Sequence, residues 1–317
     1  MTAPTADFGE LASHFRDVTI TLVGDLSDLH VRAVVEELTG DFALVNPALL
    51  ESNPYTVHLS SANVDGLNVW ENVSRGWIRR VAPAGWLRAS ELDDREGAIK
   101  TAWMALTTAI IRSHRVEWLT GLEEIVRAEN KLHAYDKLTS VGISIPNYVV
   151  SNSSERVREL LGDDFILKPL GPGTYNQGER SYVVFTAAGS STMTDKELRV
   201  APFIAQSRIR ALRHWRVVTV EDQCWSASLD ARDLPLDWRS DDKAHERFVV
   251  NNGFVRSEMA IKAASELGLG YSSQDWIEDE SGQYLIDVNP AGQWLFLPES
   301  ISRAVTRSIS SWLERAE

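Results

Sequence analysis

The segment from Leu269 to Leu295 limits the fold of this chain more than any other. It reads as a β-hairpin carrying facing oxygen ligands. Glu280-Ser281-Gly282 forms a three-residue loop, with Gly282 at the left-handed position such a loop wants. A loop centred on Ser281 sets Asp275 opposite Asp287, and alternation places Asp287 and Asn289 on one strand face. Two carboxylates and an amide then converge, a hard donor set that suits Mg²⁺ bound together with substrate phosphates. The alternative is an ordinary hairpin with a polar face. Pro290, Gly292 and the aspartate at the paired register favour the metal-and-nucleotide reading.

With 317 residues the chain exceeds one small core, so two or three subdomains are expected. A hydrophobic fraction of 44% and a charged fraction of 24% are those of a soluble globular protein. The net charge of −13 argues against non-specific binding to nucleic acid or an anionic membrane. A locally basic cleft is still available, because Arg208, Arg210, Arg213 and Arg216 bunch together. The one cysteine, Cys224, excludes an intrachain disulfide framework and a multi-cysteine zinc site, and reads as a small core residue. No secretion signal or membrane-length apolar run is seen, so a cytoplasmic location is expected.

The pattern predicts an α/β protein with α+β subdomains, divided at 1–115, 116–201 and 202–317. The first part opens with strand Val18–Val23, a helix from about Asp28 to Leu38 and a strand at Phe42–Asn46, the start of an α/β sheet. Gly24-Asp25 lacks the further glycines of a dinucleotide fingerprint, so this part is read as a scaffold without a cofactor. Val69–Arg80 mixes aromatics with arginines and either faces a peptide or is a strand packed by tryptophan. A helix at about 94–113 closes the first part. Glu123–Leu138 has apolar residues at spacings of three and four and is predicted as one amphipathic helix. Strand 148–150, a Ser153- or Ser154-capped helix ending at Gly162, strand 165–170, a flexible loop over 171–178 and strand 182–186 follow. The last part holds strands near 203–206, 215–220 and 224–229, a helix over about 256–266, the hairpin and a closing helix over 301–315.

Dispersed pieces now fall in order: Glu129-Asn130-Lys131, Lys168 ahead of a glycine-bearing loop, Gln206 at a strand end, Arg216 inside a later strand, then Asp275, Asp287 and Asn289. Together they resemble the ATP-grasp fold from about residue 116 to 317, behind an N-terminal α/β pre-ATP-grasp domain. Val116-Glu-Trp-Leu-Thr120, Arg127–Lys131, Asp237-Trp-Arg239 and Asn289–Trp294 resemble the microviridin-type ATP-grasp ligases, or graspetide macrocyclases. Trp77-Ile-Arg-Arg80 is similar to a Trp-Tyr-Arg-Arg element of that family's first domain.

The resemblance implies an ATP- and Mg²⁺-dependent ligase. Its family joins Glu or Asp side chains of a ribosomally made precursor, a leader plus a Thr/Ser- and Glu/Asp-rich core, to Thr/Ser hydroxyls or Lys amines, and its members often pair as homodimers. Carried over, Lys131 and Lys168 neutralise ATP phosphates, Gly171 and Gly173 let the loop backbone approach the γ-phosphate, and Gln206 lies at the adenine end. Asp275, Asp287 and Asn289 hold Mg²⁺, Arg216 stabilises the acyl-phosphate and its transition state, and Asp237 and Arg239 contact the peptide. The chain departs from the family at Asp287, Ser207 and His214, where Glu is common. His214 reads either as a structural histidine or as a base. Asp237 and Arg239 read either as a substrate contact or as a solvated ion pair. Two other functions share these residues: an ATP-grasp carboxylate–amine ligase joining separate molecules, and a non-catalytic scaffold binding nucleotide or peptide.

Overall fold

The structure, a computed structural model, describes residues 19–47, 57–58, 63–64, 67–68, 74–82, 94–112, 116–170, 174–177, 180–183, 186–189, 194–199, 202–254 and 256–315. The chain divides into two compact units. The first comprises residues 1–123, 177–179 and 306–317; the second comprises 124–176 and 180–305.

The first unit contains β1 (Ile20–Val23), α1 (Leu29–Glu37), β2 (Phe42–Val45), β3 (Val57–His58), β4 (Asn63–Val64), β5 (Leu67–Asn68), β6 (Arg75–Ile78), α2 (Asp94–Ile111) and β7 (Glu117–Trp118). Strands β2-β1-β6-β7 form a parallel sheet, and β3-β4-β5 form a small antiparallel one. All four residues of β1 and all four of β6 are buried, as central parallel strands require. Gly76 is needed where it stands, because a Cβ there would lie 2.5 Å from the ring of Trp118 on β7. Trp77 is buried, and the side chains of Arg79 and Arg80 both reach Asp28 Oδ2 at 3.2 Å. The 77–80 stretch is therefore a tryptophan-packed strand end; residues 69–73 lie outside the described residues.

The chain continues with α3 (Leu122–Glu129), α4 (Lys131–Ser140), β8 (Tyr148–Val150), α5 (Ser154–Leu161), β9 (Phe165–Pro169), β10 (Thr174–Gln177), β11 (Arg180–Val183), β12 (Ala187–Ala188), α6 (Asp195–Leu198), β13 (Phe203–Ser207), β14 (Arg213–Val220) and β15 (Gln223–Asp230). Two 3₁₀ turns, Trp238–Ser240 and Ala244–Arg247, precede β16 (Val249–Val250), α7 (Ser257–Glu266), β17 (Tyr271–Asp279), β18 (Gly282–Asn289) and α8 (Glu299–Leu313). The single helix expected over 123–138 is two helices. Asn130 adopts an extended conformation and its side chain accepts from His133 N at 3.2 Å, which ends one helix and starts the next. The loop expected over 171–178 contains a strand, since β10 pairs with β11.

Strands β12-β9-β13-β8 form an antiparallel sheet, with Val157, Phe165, Leu198 and Ala205 in its core. Strands β16-β15-β14-β17-β18 form a second antiparallel sheet. One face of it packs Trp215, Val217, Trp276 and Leu285 against Leu138 of α4 and the alanines 260, 263 and 264 of α7. Cys224 packs beside this core, and burial pushes its thiol up to about 11, so it stays protonated. Alternation turns His214, Arg216, Ser273, Asp275, Asp287 and Asn289 onto the opposite face. Among the described residues, no helix is long and apolar enough to cross a membrane.

Candidate active site

The hairpin reaches its expected register by an unexpected route. Asp279 pairs with Gly282, so the loop has two residues, Glu280 and Ser281, and not three. Asp279 Oδ1 closes it, accepting from Ser281 N at 2.8 Å, Gly282 N at 3.0 Å and Ser281 Oγ at 2.6 Å. A shorter loop alone would shift the pairing. A β-bulge between Asp275 and Trp276 restores it: Trp276 pairs with Leu285, Asp275 pairs with Asp287, and Ile286 is left over. The Ile286 carbonyl accepts from Tyr135 Oη at 2.6 Å and from Lys168 Nζ at 3.4 Å. The bulge thus ties Lys168 to the aspartate strand.

Arg216, Asp275 and Asp287 form one row across three strands. Arg216 Nε lies 3.1 Å from Asp275 Oδ1, and Arg216 Nη1 donates to Ser273 Oγ at 3.0 Å. The Lys131 ammonium is bound to Asp287 Oδ1. The break at Asn130 makes Lys131 the first residue of α4, and from there it reaches β18. Burial would raise the Asp287 carboxyl, but the Lys131 ammonium beside it holds it below the ordinary range. Asp275 goes the other way: burial raises it, and Arg216 only partly compensates. Burial lowers Lys168 to about 8 against the pull of Asp287. Two carboxylates facing each other with such unequal support form a place where an added cation is favourable.

A cleft of about 570 Å³ opens over this row. Glu129, Lys131, Lys168, Asp237, Arg239, Asp275, Asp287 and Asn289 line it, and Arg216 is paired with Asp275. A second cavity of about 290 Å³ carries Gln206 and the apolar Ile166, Ile277 and Leu234. Lys168, Thr186, His214, Leu236 and Ile286 line both spaces. The larger one carries both carboxylates of the row and most of the charged groups, while the smaller one adds Arg208 and Arg210. His214 is buried, and burial lowers it to about 4, so it is neutral at pH 7. Gly171 and Gly173 lie outside the described residues.

Asp237 and Arg239 do not form a solvated pair. Asp237 is buried and accepts from Arg239 Nε at 2.8 Å, Arg239 Nη2 at 2.6 Å, and the backbone of Arg239 at 3.2 Å and Thr186 at 2.9 Å. Burial would raise its carboxyl, but these donors hold it below the usual range. The exchange fixes Arg239 at the cleft wall.

Asn289 ends β18, and its Oδ1 accepts from Ala291 N at 2.9 Å. The turn that follows packs so tightly that a Cβ on Gly292 would lie 2.4 Å from Ser273 Cβ, which explains the glycine. Among the described residues, no group of three or more His, Cys, Asp or Glu is arranged to hold a metal. Two carboxylates and an amide nonetheless fit Mg²⁺, which takes few protein ligands and completes its octahedron with phosphates and water. Glu129, Tyr135, Thr186 and Ile286 were not assigned roles from sequence. The Ile286 bulge has no sequence signal, whereas Tyr135 stands four residues after Lys131 on the helical face that meets β18.

No family model matches this chain. It is 27% identical over 191 residues to a probable alpha-L-glutamate ligase of Shewanella pealeana, covering 57% of this chain and 41% of that protein. It is 26% identical over 225 residues to a probable alpha-L-glutamate ligase of Cellvibrio japonicus, covering 67% and 74%. The first match thus spans less than half the length of its relative. Among solved structures, a RiPP-associated ATP-grasp ligase of Chryseobacterium gregarium, in complex with ADP and a leader and core peptide, is similar at TM-score 0.78 and 18% identity, over 95% of this chain and 98% of that one. The macrocyclase MdnC of Microcystis aeruginosa, bound with precursor peptide MdnA, gives 0.76 at 16% identity, over 94% and 100%. The ATP-grasp ligase PsnB, complexed with minimal precursor, Mg and ADP, gives 0.71 at 18% identity, over 94% and 99%. Over nearly its whole length, this chain has the ATP-grasp fold.

Proposed function

We propose that this protein is an ATP-dependent ligase that closes rings in a ribosomally made precursor peptide. The observation that carries this reading is the row Arg216–Asp275–Asp287–Lys131, with Lys168 alongside, in a cleft that shares lining residues with a smaller cavity carrying Gln206. Structures of the same fold are complexes with ADP, with Mg and with leader, core or precursor peptides, which supports ATP, Mg²⁺ and a peptide as the occupants.

In this reading the base enters the Gln206 cavity. Lys131 and Lys168 meet the phosphates, and Gly171 and Gly173 keep the γ-phosphate role that the resemblance implies. Asp275, Asp287 and Asn289 would hold Mg²⁺, which when bound would neutralise phosphate charge. A Glu or Asp carboxylate of the peptide attacks the γ-phosphorus, and ADP leaves. Arg216 balances the charge that develops on the phosphoryl oxygens. A Thr/Ser hydroxyl or Lys amine of the same peptide then attacks the acyl carbon, phosphate leaves and a proton is lost. Arg239, set by Asp237, orients the peptide.

The glutamate-ligase relatives favour a second reading, addition of a separate amino acid to a carboxylate. Mass spectrometry after incubation with ATP, Mg²⁺ and a synthetic Thr/Ser- and Glu/Asp-rich peptide separates them. Ring closure loses one water per bond, while ligation adds a residue mass. Unchanged peptide with no ADP formed would point to a scaffold.

Lys168 supplies an independent check. Its ammonium titrates near 8 in the fold against 10.5 when free. The destabilisation from burying it is therefore complete below about pH 8 and fades between 8 and 10.5. Lys168→Met should raise the melting temperature most at neutral pH, with the gain shrinking towards pH 10.5, and should weaken ADP binding. A gain independent of pH would rule out burial as its cause. Undiminished ADP affinity would remove Lys168 from the phosphate site.

A further inference from the structure

Arg216 is held incompletely by polar partners. Its Nε is 3.1 Å from Asp275 Oδ1 but is buried without an aligned hydrogen-bond acceptor, which leaves the Ser273 contact as its directed bond. The remaining support is aromatic. The guanidinium carbon stands 5.5 Å from the ring centre of Phe296. Phe296 is in turn met edge-on by His245 at 4.9 Å and by Phe248 at 5.6 Å. Both rings contact Trp238, at 4.9 and 5.3 Å. Trp238 is the buried residue between Asp237 and Arg239 in the 3₁₀ turn of the cleft wall. Phe296 is itself anchored through the chain, because Trp294 and Leu297 on either side of it are buried and Trp294 packs on Tyr271.

We infer that Phe296 is a positioning residue for Arg216, and that the quartet Trp238–His245–Phe248–Phe296 links the arginine to the Asp237–Arg239 turn. The inference rests on the catalytic role proposed for Arg216. A guanidinium over a ring face gains both attraction and a fixed plane. Burial lowers the His245 imidazole, with the Arg216 charge adding to the effect, so at neutral pH this ring supports Phe296 without a charge of its own. Removing the aromatic face should leave Arg216 in place but free to rotate. The loss then falls on the step in which charge develops and not on nucleotide binding.

The test compares wild type, F296L, F296Y, R216A and the double variant R216A/F296L. It measures ADP release with a synthetic Thr/Ser- and Glu/Asp-rich peptide, ADP affinity by calorimetry and thermal unfolding. F296L should lower kcat about tenfold, as expected for loss of a well-desolvated cation–π contact, with the KM for ATP and the ADP affinity unchanged. F296Y, which keeps the ring face, should restore the rate. In the R216A background F296L should lower the rate no further, whereas a purely structural residue would subtract again. A full-rate F296L beside a slow R216A overturns the inference alone. So does an F296L whose loss persists in F296Y or adds to that of R216A. A full-rate R216A, or a wild type without turnover, overturns the underlying assignment as well.

Discussion

Asp287→Ala is expected to lose at least about a hundredfold in ATP turnover while unfolding as cooperatively as the wild type. Loss of a metal ligand removes several kcal/mol of transition-state stabilisation, and about 1.4 kcal/mol is already tenfold. Asp287 also holds the Lys131 ammonium, so the variant frees that group from its place. The fold should tolerate the change for two reasons. The Lys131 side chain is 24% exposed and the Asp287 side chain 34%, so water can solvate what is left. Asp275, whose carboxyl the neighbouring Asp287 charge helps to raise, loses a repulsive partner. Steady-state ADP release across a Mg²⁺ titration, with urea unfolding alongside, measures both halves. A variant that keeps more than about a tenth of wild-type turnover would remove Asp287 from the metal site.

That residue also illustrates what a linear sequence carries. The pairing of Asp275 with Asp287 was legible because a loop centred on Ser281 and a two-residue loop followed by a bulge give the same register. Alternation alone put Asp287 and Asn289 on one face. The helix capped by Ser153 and ended by Gly162 was likewise local information: Ser153 Oγ accepts from Arg156 N, and Gly162 takes φ +75°.

What could not be read is what depends on tertiary choice. Nothing local decides whether Asn130 continues a helix or caps a new one, since Asn serves in both positions. The break leaves Tyr135 donating to the Ile286 carbonyl and Lys131 on Asp287, tertiary partners more than 150 residues away. Phe165–Pro169 was readable as a strand, but its antiparallel partner β13 lies 34 residues further on, from Phe203 against Pro169, and no periodicity encodes that pairing. The aromatic quartet brings Phe296 onto His245 and Phe248, 48 or more residues away in the chain, and no local pattern encodes that meeting.

Arg239→Ala should abolish most ring formation and leave ADP affinity nearly unchanged. The side chain lies at the cleft wall, 44% exposed, with two of its nitrogens committed to Asp237 and the rest of the fork available to a peptide carboxylate. Asp275 and Asp287 both act on its charge, which places it near the row without touching the Gln206 cavity where the base is proposed to lie. Arg239→Lys should rescue only in part, because one ammonium cannot hold Asp237 and a substrate carboxylate in the same plane. Asp237→Ala should be worse in a different way. Its carboxylate accepts from Thr186 N as well as from Arg239, so its removal leaves a backbone donor unpaired, at a cost of about 1–3 kcal/mol, in addition to releasing Arg239. The two variants are therefore expected to share the loss of rings and to differ in melting temperature. Ring count by mass spectrometry, ADP affinity by calorimetry and thermal unfolding resolve the pattern. Normal ring formation in Arg239→Ala would confine the pair to holding the Trp238 turn, and would favour ligation of a separate molecule over cyclisation.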